Sequence, residues 1–346
     1  MNGAMLAYAA RRVALFVPTF VAITFAGFAI MHLAPGDPVE MYLSGGLASG
    51  QAGISTQKLA DAQRAKAELR HELGLDRPIP VQYVDWLAHL VRGDFGRSLK
   101  DRQPVWDKIR ARLPVTVGIE VFAILITYLA AVPLGIHSAV RSGSRLDQVS
   151  TGVIFALYSL PSFWVGVLLI VFLCGGDYLA WFPPGGLHSL DYTPEWSVFR
   201  RLGDLANHLA LPLFVTTLGS YTEISRYLRS SMLENARQDF IRTARAKGVP
   251  ERTVVLSHML RNSLIPMVTI LAGILPGLIG GSVIIERIFS IPGLGQLGYE
   301  AVLARDYPVV LALFATTAGL TLLGILLADL ALAVVDPRVS YASANT

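Results

Sequence analysis

Charged residues are scarce in this sequence of 346 residues. Only 16% of the residues are Asp, Glu, Lys or Arg, whereas 53% are hydrophobic, and the mean hydropathy is +0.51. A water-soluble chain of this length would need helices with one polar face. The low charge content therefore excludes an ordinary soluble protein. The single cysteine, Cys174, also excludes an internal disulfide framework.

The sequence also lacks the common catalytic motifs. It has no G-x-x-x-x-G-K-[ST] phosphate-binding loop, which indicates that the chain does not bind and split ATP by itself. It has no H-E-x-x-H, and its seven histidines are scattered instead of being spaced as metal ligands. No apolar run carries the nucleophile and base of a membrane serine protease. We therefore predict a non-catalytic chain that binds no cofactor or metal of its own.

Long apolar runs, in contrast, are abundant. A helix that crosses a bilayer needs about 20 apolar residues, and in lipid its backbone groups must bond within the segment. The runs do not alternate as the strands of a membrane barrel would. We predict an all-α integral membrane protein with six transmembrane helices, at about 13–33, 115–140, 149–174, 209–225, 264–285 and 309–335.

The distribution of basic residues predicts the orientation. The N-terminus, the loops at 141–148 and 226–262 and the C-terminal tail together carry 13 Lys and Arg, whereas the loops at 175–208 and 286–308 carry 4. Short cytoplasmic loops are enriched in Lys and Arg. We therefore expect both termini in the cytoplasm, and we read the pI of 9.2 as a membrane feature that indicates no nucleic-acid partner.

The long segment before the second run, 35–113, shows helical signals of its own. Ser55 suits an N-cap and Gly74 a helix stop, while 79–93 and 104–114 are expected to form two further short amphipathic helices. Two interpretations stay open for this extracytoplasmic segment: a subdomain that lies on the membrane, or part of a docking face for an outside partner.

Few ionisable residues lie within the predicted spans. They are Glu120, Glu223 and Asp329, and Glu223 is spaced to pair with Arg226. A charge inside the membrane is a candidate functional group, so an ion-coupled secondary transporter is an alternative. Each of the three lies near a span end, where snorkelling or local pairing explains it equally well.

The segment 232–262 is unusually basic. Its part from Arg237 to Asn262 carries six Lys and Arg against two acids. An apolar stripe, with Ile241 beside it, is expected at Leu233, Ala236, Phe240, Ala244 and Gly248. Gly248 suits a helix stop, Pro250 the first position of a second helix, and Val255, Met259 and Asn262 are expected on one face of that helix. Basic residues alone would suit lipid headgroups, but the glycine elbow favours docking of a separate cytoplasmic protein.

Within this segment, "RTARAKG" (242–248) resembles the cytoplasmic E-A-A-x-x-x-G motif of permease subunits from peptide-class ABC importers, the dipeptide and oligopeptide group. Ala244 and Gly248 match the general motif, and Arg242 and Thr243 replace its Glu and Ala. His258 and Arg261 belong to the H-x-x-R-N form of this group. Further similar motifs are "PGDP" (35–38), "ELGLDRP" (72–78), "GDFGRSL" (93–99), "SLPSFW" (159–164), "FSIPGLG" (289–295), "RDYPVV" (305–310) and "DPR" (336–338).

Two positions depart from the family. Gly118 stands where the family often has Glu, with Glu120 two residues further on, and Leu332 stands where an aromatic residue is frequent. Details of substrate preference are therefore not carried over from the family. Nickel chelates, glutathione and oligosaccharides are alternative substrates within the same permease role.

The resemblance implies a type I ABC importer permease fold in a bacterial or archaeal cytoplasmic membrane. Its divisions are an N-terminal transmembrane helix (1–34), the extracytoplasmic segment (35–113), a five-helix transmembrane domain (114–336) and a cytoplasmic tail (337–346). It implies as partners a second permease, expected to be a different protein, two cytoplasmic ATPase subunits that use ATP and Mg, and an extracytoplasmic substrate-binding protein.

The resemblance also implies which residues carry the function. Those expected to couple the chain to the ATPases are Phe240, Arg242, Thr243, Ala244, Arg245, Ala246, Lys247, Gly248, His258 and Arg261. Small and helix-bending residues in the fifth span are candidates for a gate, with tight packing as an equal alternative. They are Gly273, Pro276, Gly277, Gly280 and Gly281.

Overall fold

The computed structural model describes residues 3–33, 64, 76–175, 178–264, 267 and 282–335, with side chains for those between 10 and 327. In these ranges the regular structure is helical, apart from one isolated bridge between Arg97 and Pro104. The helices are α1 Gly3–Leu33, α2 Ile79–Val91, α3 Val105–Val140, α4 Arg145–Tyr158, α5 Ser162–Leu173, α6 Val198–Ala236, α7 Asp239–Ala246, α8 Glu251–Thr253, α9 Val283–Ile288, α10 Leu294–Leu303 and α11 Tyr307–Val335.

Three of the described helices are long and apolar enough to cross a membrane: the Ala10–Leu33 part of α1, all of α3, and the Tyr307–Leu327 part of α11. They confirm the first, second and sixth predicted helices. The fourth prediction lies within α6, which is continuous but too polar to be recognised as a span by hydropathy. Most of the fifth lies outside the described residues.

The third predicted span is not one straight helix. It consists of α4 and α5, which meet at an angle of 95°, and it makes a fourth candidate span only if the pair is counted as one. The cause is Pro161, which has φ −58° and ψ 128° and lies directly before α5. A proline lacks the N–H that would continue α4, and it disfavours helical geometry at the residue before it.

The prediction of two short helices before the second span was half right. The expected short helix at 79–93 is confirmed as α2, but 104–114 forms no separate helix. It is the start of α3, which continues through Pro114. Residues are buried on both sides of that proline, for example Ile109 and Thr116, so packing offsets the backbone bond that proline removes. The helix expected from Ser55 to Gly74 lies outside the described residues.

The closest helix packing lies between α3 and α6. Small residues of α3, Ala131, Gly135 and Ala139, face larger ones of α6, and Leu228 is fully buried between the two helices. A Cβ at Gly135 would stand 3.0 Å from the backbone oxygen of Ser225 and 3.1 Å from the Leu228 Cβ. Small residues allow such close approach of membrane helices.

Two buried carboxylates join segments that are distant in the sequence. Asp306, in "RDYPVV", accepts hydrogen bonds from the Ser98 hydroxyl and from Leu99 N at 2.9 Å, both in "GDFGRSL". Glu286 accepts from Thr116 Oγ1 of α3 at 3.0 Å and from Gln296 N at the start of α10 at 2.8 Å. The motifs "RDYPVV" and "GDFGRSL" thus form one joint, and Glu286 forms a second one between α3 and the start of α10.

A third buried carboxylate, Asp147, fastens the start of α4 to α6. It is held by both Arg229 Nε at 3.0 Å and Arg229 Nη2 at 2.9 Å, and by Gly143 N at 2.9 Å. Arg226 also lies beside it and donates to Thr151 Oγ1 at 2.6 Å. The expected pair of Arg226 with Glu223 is not found among the described contacts; Arg226 lies 3.9 Å from the buried Asp147 instead, and Glu223 is exposed.

We predict that Gly135→Val lowers the stability of the protein, because its side chain would collide with α6. Overpacking of this kind costs about 1–3 kcal/mol. Gly118→Val is the matched control, since it lies on the same helix and no atom lies within 4 Å of its Cβ position. The measurement is the thermal midpoint of unfolding in detergent. Equal midpoints for the two variants would contradict the packing described above.

We predict a larger loss for Asp147→Ala, because the change leaves Arg229 and Arg226 without their counter-charge. Breaking one partner of a buried ion pair costs about 3–5 kcal/mol. The Asp147 side chain is 4% exposed, whereas that of Asp239 is 96% exposed against Arg242, so Asp239→Ala is the control. A loss no greater than that of the control in the same unfolding assay would refute a structural role for Asp147.

Candidate coupling interface

The predicted apolar stripe is interrupted between α6 and α7. Helix α6 ends at Ala236, and Gln238 adopts extended geometry, with φ −73° and ψ 150°, before α7 begins at Asp239. The break shifts the helical register, so Ile241 is fully buried whereas Phe240 is 42% exposed. The expected stripe is therefore not one continuous face: Ile241 takes the buried position, and Phe240 lies on the exposed side.

The glycine elbow is confirmed. Gly248 has φ +74°, an angle that residues other than glycine rarely adopt, and its N–H donates to Arg245 O at 3.0 Å. Pro250 lies one position earlier than expected, directly before α8. The chain then continues from α8 into a π-helical turn, Val254–Met259. Such turns widen a helix by one residue and are frequent at functional sites.

One side of the elbow is part of the protein core. Ile241 and Ala244 of α7 join Val254, Val255 and Met259 in the apolar cluster that lies between the ends of α3 and α6. Asn262, expected on the same face as Val255 and Met259, is exposed, and its amide bonds to His258 O at 2.9 Å. The π-helical turn explains this difference, because it rotates the residues that follow it.

The other side of the elbow is an exposed surface. Of the ten residues predicted to couple the chain to ATPases, Ala244 is buried and His258 is partly buried. The exposed ones are Phe240, Arg242, Thr243, Arg245, Ala246, Lys247, Gly248 and Arg261. Small Ala244 therefore packs against its own chain and offers no contact to a partner. We call the eight exposed residues the elbow surface.

An ion pair spans the elbow. Arg245 Nη2 lies 2.6 Å from Glu251 Oε1, and Arg245 Nε lies 3.1 Å from Glu251 Oε2, a bidentate arrangement that bridges α7 and α8. The hydrogen bonds from Arg245 hold the pKa of Glu251 below its ordinary value of 4.5. The small stabilisation by this exposed pair is therefore complete at neutral pH, and it is lost only in acid as the pH falls through that lowered pKa.

Sequence reasoning missed a polar clamp behind the elbow. Asn235 Nδ2 at the end of α6 donates to Ser263 Oγ at 2.8 Å, and Ser263 Oγ donates to Met259 O at 2.9 Å. Ser263 is fully buried. The clamp joins the beginning and the end of the elbow. The sequence carries no local signal of it, because its two side chains are 28 residues apart.

The candidate gate residues Gly273, Pro276, Gly277, Gly280 and Gly281 lie outside the described residues. In the part of the chain that the structure does describe, no group of three His, Cys, Asp or Glu residues could hold a metal ion. The arrangement that stands out is mechanical: a basic, exposed surface on a short helix pair whose other side is packed into the main helix pair.

Comparison with known proteins identifies the family to which this arrangement belongs. Residues 131–341 match the family described as binding-protein-dependent transport system inner membrane component, and residues 5–120 match its N-terminal domain. The start of α3 lies in the second matched region, and the end of α3 and all of α6 lie in the first.

Full-length relatives agree with these matches. The chain is 39% identical to the oligopeptide transport system permease protein AppB of Bacillus subtilis, over 97% of this chain and 100% of that protein. It is 35% identical to the dipeptide transport system permease protein DppB of Escherichia coli K12 and to the inner membrane ABC transporter permease protein YejB of Escherichia coli O157:H7, in each case over 97% of this chain and 99% of the relative. The chain therefore belongs to the permease family of binding-protein-dependent ABC transport systems.

Proposed function

We propose that this chain forms one half of the translocation path of an ATP-driven importer of di- and oligopeptides. In this proposal it has six transmembrane helices and both termini in the cytoplasm of a bacterial or archaeal cell. It pairs with a second permease, and an extracytoplasmic binding protein delivers the peptide. The substrate class is supported by the names of two relatives, an oligopeptide permease and a dipeptide permease.

The observation that carries the proposal is the two-sided elbow. Its exposed side presents arginines and the half-exposed Phe240. Aromatic residues and arginines are enriched in protein–protein interfaces, so this surface suits a protein partner. Its buried side belongs to the same apolar cluster as Leu228 and Met232 of α6. A force applied to the surface therefore reaches α6 through close packing. In our proposal an ATPase subunit receives the elbow surface, and ATP and Mg act on that subunit.

The mechanism is a shift of population between inward-open and outward-open arrangements. Closure of the ATPase dimer draws the two elbows together and favours the arrangement in which the attached helices have reoriented. The Asp147–Arg229 pair transmits the movement of α6 to α4, because it fixes the start of α4 to that helix. No catalytic step is assigned to this chain.

We predict that Gly248→Pro uncouples ATP hydrolysis from transport. Proline cannot adopt a φ of +74° and removes the N–H that closes α7, so the elbow must reorganise. Peptide uptake per ATP hydrolysed is expected to fall by about tenfold or more, the range of a coupling free energy of 1–3 kcal/mol. The measurement is uptake of labelled di-, tri- and pentapeptides by cells whose own transporter is deleted and replaced by the full set of subunits, divided by the ATP hydrolysis of membranes prepared from the same cells.

Gly93→Pro is the matched control for this experiment. Gly93 also follows a helix, has φ +77°, and donates its N–H to Leu90 O at 2.9 Å, but it belongs to the extracytoplasmic segment. Both variants are first shown to reach the membrane in normal amount. An unchanged ratio of uptake to ATP hydrolysis in Gly248→Pro would refute the assignment of the elbow. No uptake of any peptide by the assembled wild type would instead move the search to nickel chelates, glutathione and oligosaccharides.

The ion-coupled alternative makes a different prediction for the acidic residues in helices. We expect Glu223→Gln and Asp329→Asn to leave uptake within about twofold of wild type, because ATP drives transport and the exposed Glu223 holds no buried partner. The same uptake assay with and without a proton ionophore provides the measurement. Loss of transport in either variant, together with sensitivity to the ionophore, would favour ion coupling.

A further inference from the structure

A small groove of about 30 Å³, partly open to its surroundings, lies between α3 and α6, on the side of Gly135 that is remote from the elbow. Its polar lining consists of Glu120, Thr127 and Tyr128 from α3 and Thr216 and Ser220 from α6. Apolar side chains of Ala123, Ile124 and Ile224 complete the lining.

The groove lies opposite the apolar face of α3. Successive residues of a helix are about 100° apart, so Glu120 lies roughly opposite the exposed residues Phe122, Leu125, Ile126 and Leu129. That apolar face suits lipid or another apolar surface. A carboxylate within a membrane helix faces the protein interior or a water-filled cavity, because lipid would leave it unsolvated. The helix thus turns Glu120 away from lipid and into the groove.

Glu120 also differs from its acidic neighbour Glu286 in having unused hydrogen-bonding capacity. Glu286 is already bonded to Thr116 and to the backbone at the start of α10. No hydrogen bond or ion pair joins Glu120 to another residue in the described part of the chain. Of these two carboxylates, Glu120 is therefore the one that is free to accept a ligand.

The hydroxyl groups around Glu120 favour a ligand that donates hydrogen bonds. Tyr128 Oη already donates to Met267 O at 3.3 Å, and Thr216 Oγ1 donates to Pro212 O at 2.8 Å. Each of these oxygens has its hydrogen committed and retains lone pairs as acceptors. Together with a carboxylate, such acceptors match a cation with several N–H donors, of which an ammonium group is the simplest.

We propose that this groove binds the α-ammonium group of the peptide during its passage, with Glu120 as the counter-charge. The inference rests on the proposed function, since it requires a peptide substrate. An ammonium ion that leaves water for a membrane interior needs an opposite charge close by. Glu120 supplies it, while the neighbouring hydroxyl oxygens accept the remaining N–H groups.

The test uses the complete transporter with its binding protein in proteoliposomes. ATP-driven uptake of one labelled dipeptide and of its N-acetylated form is measured for wild type, for Glu120→Gln and for the control Glu223→Gln. The uptake by each variant is divided by the uptake of the same peptide by wild type, and this ratio cancels the preference of the binding protein. Glu120→Gln is expected to lower uptake of the free-amine peptide by about tenfold or more, the value of a hydrogen bond to a charged group, and to leave the acetylated peptide unchanged. Glu223→Gln is expected to leave both unchanged.

A second measurement works on the unaltered protein. A water-soluble carbodiimide activates a carboxylate, and a peptide amine in contact with it then forms an amide bond as the reagent leaves as its urea. Peptide mapping by mass spectrometry is expected to find the dipeptide attached at Glu120.

Either of two results would overturn the inference: uptake by Glu120→Gln that is normal or equally reduced for both peptides, or a coupled dipeptide that is never attached at Glu120. In both cases peptide import by wild type would stand. A wild type that hydrolyses ATP but imports no peptide would overturn the proposed substrate, and the inference with it.

Discussion

The close packing of α3 against α6 is the contact on which the remaining structure depends. Ala131, Gly135 and Ala139 let the two backbones approach, and Leu228 fills the seam. Lipid tails are as apolar as the helix surfaces, so no hydrophobic force drives the two helices together. Close van der Waals contact must therefore supply the stability of the pair. The same pair anchors the elbow at one end and, through Ile119 and Val215, the α5 and α9 region at the other.

Buried carboxylates determine how the shorter elements are attached to that pair. Asp147, Glu286 and Asp306 each accept hydrogen bonds from backbone N–H groups at a turn or a helix start. A Cβ at Gly293 would collide with the Glu286 carboxylate, and one at Gly295 would collide with that carboxylate and with the backbone of Val283. The glycines of "FSIPGLG" are thus explained by an acid seven to nine residues away. An apolar side chain in place of the acid would leave those N–H groups unbonded, at about 1–3 kcal/mol for each.

Features of the fold that depend on nearby residues were predicted from the sequence, and most contacts between distant residues were not. The apolar runs identified α1, α3 and α11, and Gly248 identified the elbow, because each depends only on nearby residues. The bend before Pro161 has a local cause that hydropathy alone overlooks. The break at Gln238 carries neither glycine nor proline, so the burial of Ile241 in place of Phe240 could not be anticipated. The pairing of Asp147 with Arg229 joins positions 82 residues apart, which a single sequence does not reveal.

Helix α6 connects the two proposed sites physically. It has 39 residues and is therefore about 58 Å long, with the elbow attached at Ala236 and the groove residue Ser220 about 24 Å away along the same helix. A continuous helix packed tightly at Leu228 cannot move at one end and stay fixed at the other unless it bends, and no proline lies between Ser220 and Ala236. A displacement of the elbow is therefore passed along α6 to the level of the groove. Coupled transport requires that the groove bind the peptide amine more tightly in one arrangement than in the other, and α6 is the element through which the elbow would impose that difference.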